Sequence, residues 1–334
     1  MDSVTGPGLE PLYPPPAPGP DRGATPSGFI VETDGTVRLH FLDWGDGGAD
    51  AASGAGAPPA GHGVVPGILL VHGLAETAWT WAPVARRLCR AGRVVAMDLR
   101  GHGLSDSPTT GYGPDQLADD AVAVAEGAGI LALPGVSSGR PFVVGGIGYG
   151  AIVAAWTAHA LGERCAGLLL VDGGWEDLAL ATGATPGEWL AAVDEPPEVL
   201  ASMAAWLADR AAFDPASWDD DQEHAARAQV VETAAGRVKL AVHPHAMAAS
   251  VRAMWAYDPA AVLPSVEAPV AALLARDEDG SRAAALRAVA SLRRAARRSP
   301  IGAASYPGRG HNLVRHEPAD VAANLLDLAA RAER

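Results

Sequence analysis

The sequence contains little of what marks a disulfide-rich, membrane-spanning or nucleic-acid-binding protein. Only two cysteines occur in 334 residues, Cys89 and Cys165, and no C-x-x-C spacing is present. We therefore expect buried free thiols rather than a disulfide or a thiolate metal site. No run of eighteen apolar residues predicts a membrane span. Acidic residues outnumber basic ones by 39 to 25, for a net charge of −14, which argues against nucleic acid or an anionic membrane as a partner.

The first residues lack the features of a secretion signal. Residues 1–20 are rich in proline and contain neither a positively charged start nor an apolar stretch. We predict a disordered tail over residues 1–27 and a cytoplasmic location. Asp34-Gly35 predicts the turn of a β-hairpin. Residues 45–63, rich in glycine and alanine, are predicted to form a flexible loop.

Short apolar runs separated by segments of helical periodicity fill much of the rest. Runs that are apolar on both faces are typical of parallel strands covered by helices on each side. The runs are GILLV (67–71), RVVAM (93–97), FVVG (142–145), GLLLV (167–171), PVAALL (269–274) and GAASY (302–306). They predict an α/β fold, with a mostly parallel central sheet and helices on both faces.

The region between the fourth and fifth runs has a different pattern. Residues 198–213 place apolar side chains at helical spacing, and no convincing buried strand is present from 175 to 263. We predict a helical lid over residues 175–263, inserted between two parts of the core, 28–174 and 264–334.

Candidate functional residues follow the predicted strands, at the edge where open parallel sheets bind ligands. His72 and Gly73 come directly after the first continuous run. A glycine there permits a tight turn, so that the backbone N–H of Leu74 can point at an oxyanion. His102 follows the second run between two turn glycines, and we interpret it as a loop-packing residue.

The stretch GGIGYGA, residues 145–151, joins the third run to a helix-like segment. Its central residue, Gly148, is expected in a strained backbone region that glycine adopts easily, but glycine supplies no nucleophile. The N–H of Tyr149 begins the helix and is available to an anion. A dinucleotide fingerprint starting at Gly146, with Ala151 as its last residue, fits less well, because that fingerprint belongs to the first β–α–β unit of a chain.

The last run is followed by a histidine in a glycine-flanked loop, His311. The preceding run is followed by ARDEDG, residues 275–280, which offers Asp277, Glu278 and Asp279. An acid that is hydrogen-bonded to Nδ1 fixes the tautomer of a histidine and leaves Nε2 as a general base.

Together, VHGLAETAWTW, MDLRGHGLSD, GGIGYGA, LLLVDGG and PGRGHNL resemble the α/β-hydrolase superfamily, close to its epoxide-hydrolase-like and esterase-like members with a helical lid. The resemblance runs from residue 28 to the C-terminus, apart from the low-complexity loop. It implies that His311 is the catalytic histidine and that Leu74 and Tyr149 supply the N–H groups of an oxyanion hole. It also implies that Gly148 occupies the position of the nucleophile, where the family carries a reactive side chain.

The resemblance leaves the identity of the orienting acid open. The family spacing gives Glu278, and a shift of one residue gives Asp277 or Asp279. Some members take the acid from the end of the strand before the lid, which makes Asp172 the alternative.

Two functions are compatible with this sequence. The first is a nucleophile-independent enzyme of the kind found in biosynthetic pathways. In it, a histidine base oriented by an acid acts with an oxyanion hole on a small carbonyl, lactone or hydroxyl substrate. Proton transfer, elimination, cyclisation and direct hydrolysis by water all qualify. The alternative is a non-catalytic pseudo-hydrolase that binds a small molecule under the lid. A glycine that replaces a natural serine at Gly148 is a further alternative.

Five residues are assigned to substrate binding, although aromatic side chains at helical spacing more often belong to a core. They are His72, Trp175, Trp206, Trp255 and Tyr257. His243 and His245 have a spacing that is compatible with two metal ligands, but no third ligand is near them in the sequence. No metal or cofactor is expected, the expected partner is a small molecule, and the oligomeric state is left open.

Overall fold

The structure, a computed structural model, describes residues 9–11, 25–33, 35–45, 65–135 and 140–331. Asp34 of the expected hairpin turn, nearly all of the expected loop over 45–63, and most of the expected tail lie outside the described residues. Within that tail, Leu9–Pro11 forms a strand at the edge of the sheet, which departs from the predicted disorder. The edge of a sheet offers unpaired backbone N–H and C=O groups. The three residues Leu9–Pro11 pair with those of the strand at 301–305.

The described part of the chain contains a nine-stranded sheet and a separate two-stranded one. The strands are β1 (Leu9–Pro11), β2 (Ser27–Glu32), β3 (Arg38–Asp43), β4 (Gly67–Val71), β5 (Arg93–Met97), β6 (Phe142–Ile147), β7 (Gly167–Val171), β8 (Val230–Glu232), β9 (Val238–Leu240), β10 (Val270–Leu274) and β11 (Ile301–Ser305). The large sheet has the order β1-β11-β10-β7-β6-β4-β5-β3-β2 and is parallel except where β3 joins β2 and β5.

The six apolar runs predicted as strands are β4, β5, β6, β7, β10 and β11, and the predicted α/β fold is confirmed. Strand β4 shows why continuous apolar runs are needed: Ile68 and Leu70 pack into the core on one face of the sheet, and Leu69 and Val71 into the core on the other. A strand that is buried on both sides has no face left for polar side chains.

Helices cover both faces of the sheet. They are α1 (Ala82–Leu88), α2 (Pro114–Gly127), α3 (Tyr149–Leu161), α4 (Leu178–Thr182), α5 (Pro186–Ala192), α6 (Met203–Phe213), α7 (Asp220–Ala228), α8 (Pro244–Ala256), α9 (Pro259–Ser265), α10 (Ser281–Ala295), α11 (Leu313–His316) and α12 (Pro318–Arg331). Helices α2, α3 and α10 pack on one face, and α1 and α12 on the other. None of the helices described is long and apolar enough to cross a bilayer.

The segment between β7 and β10, predicted as a lid, contains helices α4 to α9 and the antiparallel pair β8–β9. Helix α7 fastens it to the core: the rings of His224 and Trp79 lie 3.8 Å apart, centroid to centroid, and Asp221 forms an ion pair with Arg86 at 2.8 Å. The position of this segment over the strand ends follows from such contacts, which involve residues far apart in the sequence.

Candidate active site

Gly148 forms a sharp turn between β6 and α3. Its backbone has φ 53° and ψ −115°, in the left-handed half of conformational space that favours glycine. The turn is tightly packed, since a Cβ on Gly146 would lie 2.0 Å from the carbonyl oxygen of Gly150. A Cβ on Gly148 itself would lie 3.0 Å from Nε2 of His311. A side chain at residue 148 would therefore project directly at the imidazole.

His311 is held by Asp172, the residue that follows β7. Nδ1 of His311 donates a hydrogen bond to Oδ2 of Asp172 at 2.6 Å. The other carboxylate oxygen, Oδ1, accepts from the backbone N–H of Ala275 at 2.8 Å and from Arg282 Nη1 at 2.7 Å. Burial acts to raise the pKa of Asp172, but the hydrogen bond and charge of His311, together with Arg282 and Ala275, outweigh it and lower the pKa. The carboxylate is therefore ionised and fully partnered.

The same pair sets the state of the histidine. Partial loss of hydration acts to lower the pKa of His311, although its side chain is 62% exposed, whereas the hydrogen bond and negative charge of Asp172, with the charge of Glu76 added, raise the pKa overall. Because Nδ1 carries the proton that Asp172 accepts, Nε2 of the neutral ring is the free lone pair. That nitrogen is the one beside Gly148, so the geometry provides a base at the turn.

The acidic loop after β10 does not reach His311, and the expectation that it supplies the orienting acid is corrected. Asp277 turns back to accept the backbone N–H groups of Arg282 and Ala283 at the start of α10, and Asp279 accepts the N–H of Ser281. These carboxylates satisfy the first N–H groups of the helix, which have no partner within it.

The third acid of that loop, Glu278, points outward. It pairs with Arg276 at 3.3 Å, and its side chain is 76% exposed. Asp172, the alternative acid, is the partner of His311 instead. The spacing rule counts residues after a strand and cannot register that this loop folds toward its own helix.

Two residues whose backbone N–H groups have no acceptor within the described chain line the same cavity. Leu74 and Tyr149 both line the cavity beside Gly148, and among the described residues neither of their N–H groups has an acceptor. Leu74 precedes a turn in which Ala75 has φ 59° and the N–H of Glu76 bonds to the carbonyl of Gly73 at 3.3 Å. Tyr149 is the first residue of α3, where an orphan N–H is expected. Such a pair can stabilise negative charge on an oxygen.

These groups open into a cavity of about 800 Å³, bounded by the strand ends below and by the segment between β7 and β10 above. The apolar part of its wall comes largely from that segment: Leu178, Trp189, Val193, Trp206, Leu240, Met247 and Met254. Its charged part includes Glu76, Glu176, Arg210 and Arg282. The volume suits a small organic molecule.

The aromatic residues assigned to substrate binding divide between wall and core. Trp206 lines the cavity. Trp175 and Tyr257 are buried, and the Tyr257 hydroxyl donates to the carbonyl of Gly174 at 2.7 Å. Trp255 donates its Nε1–H to the carbonyl of Ala184. The prediction is therefore corrected for Trp175, Trp255 and Tyr257, which pack in or against the main core instead of lining the cavity.

His72 is likewise a structural residue and not a wall of the cavity. It is fully buried, its Nδ1 donates to the carbonyl of Gly73 at 2.7 Å, and its Nε2 accepts the N–H of Leu99 at 3.0 Å. Burial lowers its pKa, so the neutral ring ties the loop after β4 to the loop after β5. His102 is buried too, and burial lowers its pKa to about 3, which agrees with its interpretation as a packing residue.

Glu76 is a cavity residue that the sequence analysis missed. Its Oε2 accepts the backbone N–H of Gly73 at 2.9 Å, which folds the carboxylate over the loop that carries Leu74. A charged residue three positions after the turn glycine was the available signal.

For His243 and His245 no third ligand is present, since no group of three metal-binding side chains occurs among the residues that the structure describes.

Comparison with known proteins agrees with this architecture. A sequence model of the alpha/beta hydrolase family matches residues 68–324. A curated relative, the 2-(acetamidomethylene)succinate hydrolase of Mesorhizobium japonicum, is 42% identical over 55 residues, which is 16% of this chain and 20% of that protein. An uncharacterised protein of Mycobacterium tuberculosis is 45% identical over 47 residues, 14% of each chain. The matches thus span a fifth or less of these relatives.

Solved structures match over nearly the whole chain but at low identity. The crystal structure of E-2-(acetamidomethylene)succinate hydrolase superposes with a TM-score of 0.66 at 20% identity and covers 91% of this chain and 100% of that one. A thioesterase domain from the curacin biosynthetic pathway gives 0.62 at 20% identity, covering 90% and 99%. The enol-lactonase of Burkholderia xenovorans gives 0.57 at 16% identity, covering 90% and 100%. At such identities the likeness establishes the fold.

Proposed function

The chain belongs to the alpha/beta hydrolase family, and from that premise we propose that it is an enzyme that uses His311 as a base without a covalent nucleophile. The substrate is a small carbonyl, lactone or hydroxyl compound held in the cavity. One observation carries the proposal: the place where a side chain of residue 148 would begin lies 3.0 Å from Nε2 of His311, and glycine leaves that place open to water or to the substrate itself.

For a lactone or ester, the steps are as follows. A water molecule lies beside Gly148, Nε2 of His311 takes its proton, and the water oxygen forms a bond to the carbonyl carbon. The carbonyl oxygen becomes an oxyanion, which the N–H groups of Leu74 and Tyr149 stabilise. The intermediate collapses, the C–O bond to the leaving oxygen breaks, and the imidazolium returns its proton to that oxygen. Asp172 stabilises the imidazolium throughout.

The same groups serve reactions that need only proton transfer. Nε2 can remove a proton from a carbon next to a carbonyl, and the oxyanion hole then stabilises the enolate. A positioned base contributes about 10²- to 10⁴-fold, and serine proteases without their triad retain roughly 10³- to 10⁴-fold catalysis from the oxyanion hole and binding. A site without a nucleophile can therefore still produce substantial catalysis.

The polar arrangement supports an enzyme over a pure binding protein. Asp172 has three donors on its carboxylate and a positive φ of 44°, a conformation that costs about 1 kcal/mol or more in a residue other than glycine. A pocket that only binds a ligand has no use for a fixed histidine tautomer. The pseudo-hydrolase alternative predicts no reactivity at His311.

We also propose that residues 175–263 act as the lid of this cavity, with the core formed by 28–174 and 264–334. The apolar wall residues drawn from α4 to α8 and β9 support this division. A small molecule is the expected partner.

Labelling with a fluorophosphonate tests the proposal. Wild type should not be labelled, Gly148→Ser should be labelled, and the double variant Gly148→Ser/His311→Ala should lose the label. Because φ at residue 148 is positive, circular dichroism and thermal unfolding must first show that Gly148→Ser is folded. A folded Gly148→Ser variant that stays unlabelled would show that base and oxyanion hole are not aligned, and would favour the binding protein.

A further inference from the structure

We propose that Glu76 makes the cavity selective for substrates that carry an ammonium group close to the reacting atom. The inference rests on the proposed function only in using the same cavity. Two observations carry it: how the charged side chains of the cavity are paired, and where Glu76 lies.

Every arginine that lines the cavity is already paired with carboxylates. The pairs are Arg282 with Asp172 and Glu176, Arg210 with Glu195 and Asp209, and Arg276 with Glu278. The pairs of Arg282 and Arg210 are at 2.7 to 3.0 Å, close enough for the charges to cancel for a bound molecule. The arginines therefore do not form an anion site.

Glu76 differs from the other carboxylates of the cavity wall. Within the described part of the chain it has no ion pair with a lysine or arginine, and only Oε2 has a hydrogen-bond donor, the N–H of Gly73 at 2.9 Å. Its second oxygen, Oε1, has no partner among those residues. Glu76 is also only half-buried and lines the cavity, so its side chain is accessible to a bound molecule.

The position of Glu76 places this charge beside the reaction centre. It follows Leu74 by two residues on the loop after β4, and it lines the same cavity as Gly148 and His311. Its charge is also one of the causes that raise the pKa of His311, which reports electrostatic coupling between the two side chains. A substrate oxygen at the N–H of Leu74 thus has a carboxylate close to it.

The charge of Glu76 favours a positively charged substrate group over a negatively charged one. An ammonium group can donate a charge-assisted hydrogen bond to Oε1, stronger than a neutral one. A carboxylate at the same place meets repulsion in a partly enclosed site, where the charges are poorly screened. A substrate with an amine near its carbonyl or lactone group therefore fits, and one with an acid there does not.

Three ligands of matched length test this on the unmodified full chain: 4-phenylbutylammonium, 4-phenylbutanol and 4-phenylbutyrate. Isothermal titration at about pH 7.5, where amine and acid are both charged, gives the three dissociation constants. We expect the ammonium ligand to bind about tenfold more tightly than the alcohol, and the carboxylate more weakly than both. Glu76→Gln should remove the advantage of the ammonium ligand, and Glu76→Asp should retain part of it.

Glu232→Gln is the matched control, because Glu232 is exposed in β8, does not line the cavity and carries the same charge. It should leave the order of the three ligands unchanged. The inference is overturned if the carboxylate binds as tightly as the ammonium ligand, if Glu76→Gln keeps the ammonium preference, or if none of the three binds. His311→Ala should retain the preference, so failure of the proposed base chemistry is distinguishable from failure of this selectivity.

Discussion

Two acidic positions of the chain lie at the ends of neighbouring strands, and only one of them reaches His311. Asp172 follows β7, residues 277–279 follow β10, and the two strands pair directly. Asp172 is turned by its positive φ and fixed by the N–H of Ala275. The acids of the later loop serve helix α10 or solvent. Asp277 and Asp279 lie just before a helix whose first N–H groups have no partner within it, so they accept hydrogen bonds from those groups. Asp172 has no such helix beside it and accepts from Ala275, which follows the neighbouring strand.

The largest effect that this comparison predicts is on rate. Asp172→Asn should slow fluorophosphonate labelling of the Gly148→Ser variant by about 10³- to 10⁴-fold, because the tautomer of His311 is no longer fixed and its protonated form loses a counter-charge. The labelling rate constant, measured by mass spectrometry, is the readout. Glu278→Gln in the same background should leave the rate within about twofold, since exposed pairs contribute little. Equal losses in both variants would remove the distinction between the two acids.

The second prediction concerns pH. The pKa of His311 is raised, and Nε2 is a base only when the ring is neutral, so the labelling rate of Gly148→Ser should rise with pH as His311 loses its proton. In Asp172→Asn that midpoint should move to lower pH, because the charge that favours the imidazolium is gone. Nuclear magnetic resonance titration of ¹³C-labelled histidine measures the midpoint directly. A midpoint that Asp172→Asn leaves in place, or moves upward, would show that this carboxylate does not set the state of the ring.

A smaller effect is expected at the other acid, on stability instead of rate. Asp277→Asn should lower the free energy of unfolding by about 0.5–1 kcal/mol, because one of the two accepting oxygens becomes an NH2 group that cannot accept an N–H at the start of α10. The labelling rate of Gly148→Ser should not change. Urea unfolding followed by circular dichroism measures the difference, and Asp279→Asn offers a comparison with one capped N–H in place of two. If Asp277→Asn lowers the labelling rate, the loop after β10 contributes to the active site and the distinction between the two acids is wrong.

The two acidic positions also show which parts of the site can be predicted from the sequence and which cannot. The strands β4 to β7, β10 and β11 could be predicted because burial on both faces requires continuous apolar runs. Gly148 and His311 could be located because each lies between such a run and the helix that follows it. The partner of His311 could not, since two strand ends both offer an acid and only the backbone path of the loop decides between them.

The cavity wall was the least predictable part. Trp206 and Trp255 both lie in helices, yet Trp206 lines the cavity and Trp255 packs against other residues of the segment between β7 and β10. Helical spacing shows which side chains share a face, but not whether that face meets a core or a cavity. Glu76 gave no periodic signal at all, because it lies in a loop whose turn is fixed by the backbone of Gly73 and Ala75.

Intact-protein mass spectrometry of the native chain and of His311→Ala, during turnover of an activated ester or enol lactone, distinguishes base catalysis from covalent catalysis. We predict turnover of the native chain with no covalent adduct on the protein, and a turnover rate that falls about 10²-fold or more in His311→Ala. An acyl adduct that accumulates on the native chain, or turnover that His311→Ala leaves unchanged, would contradict this prediction.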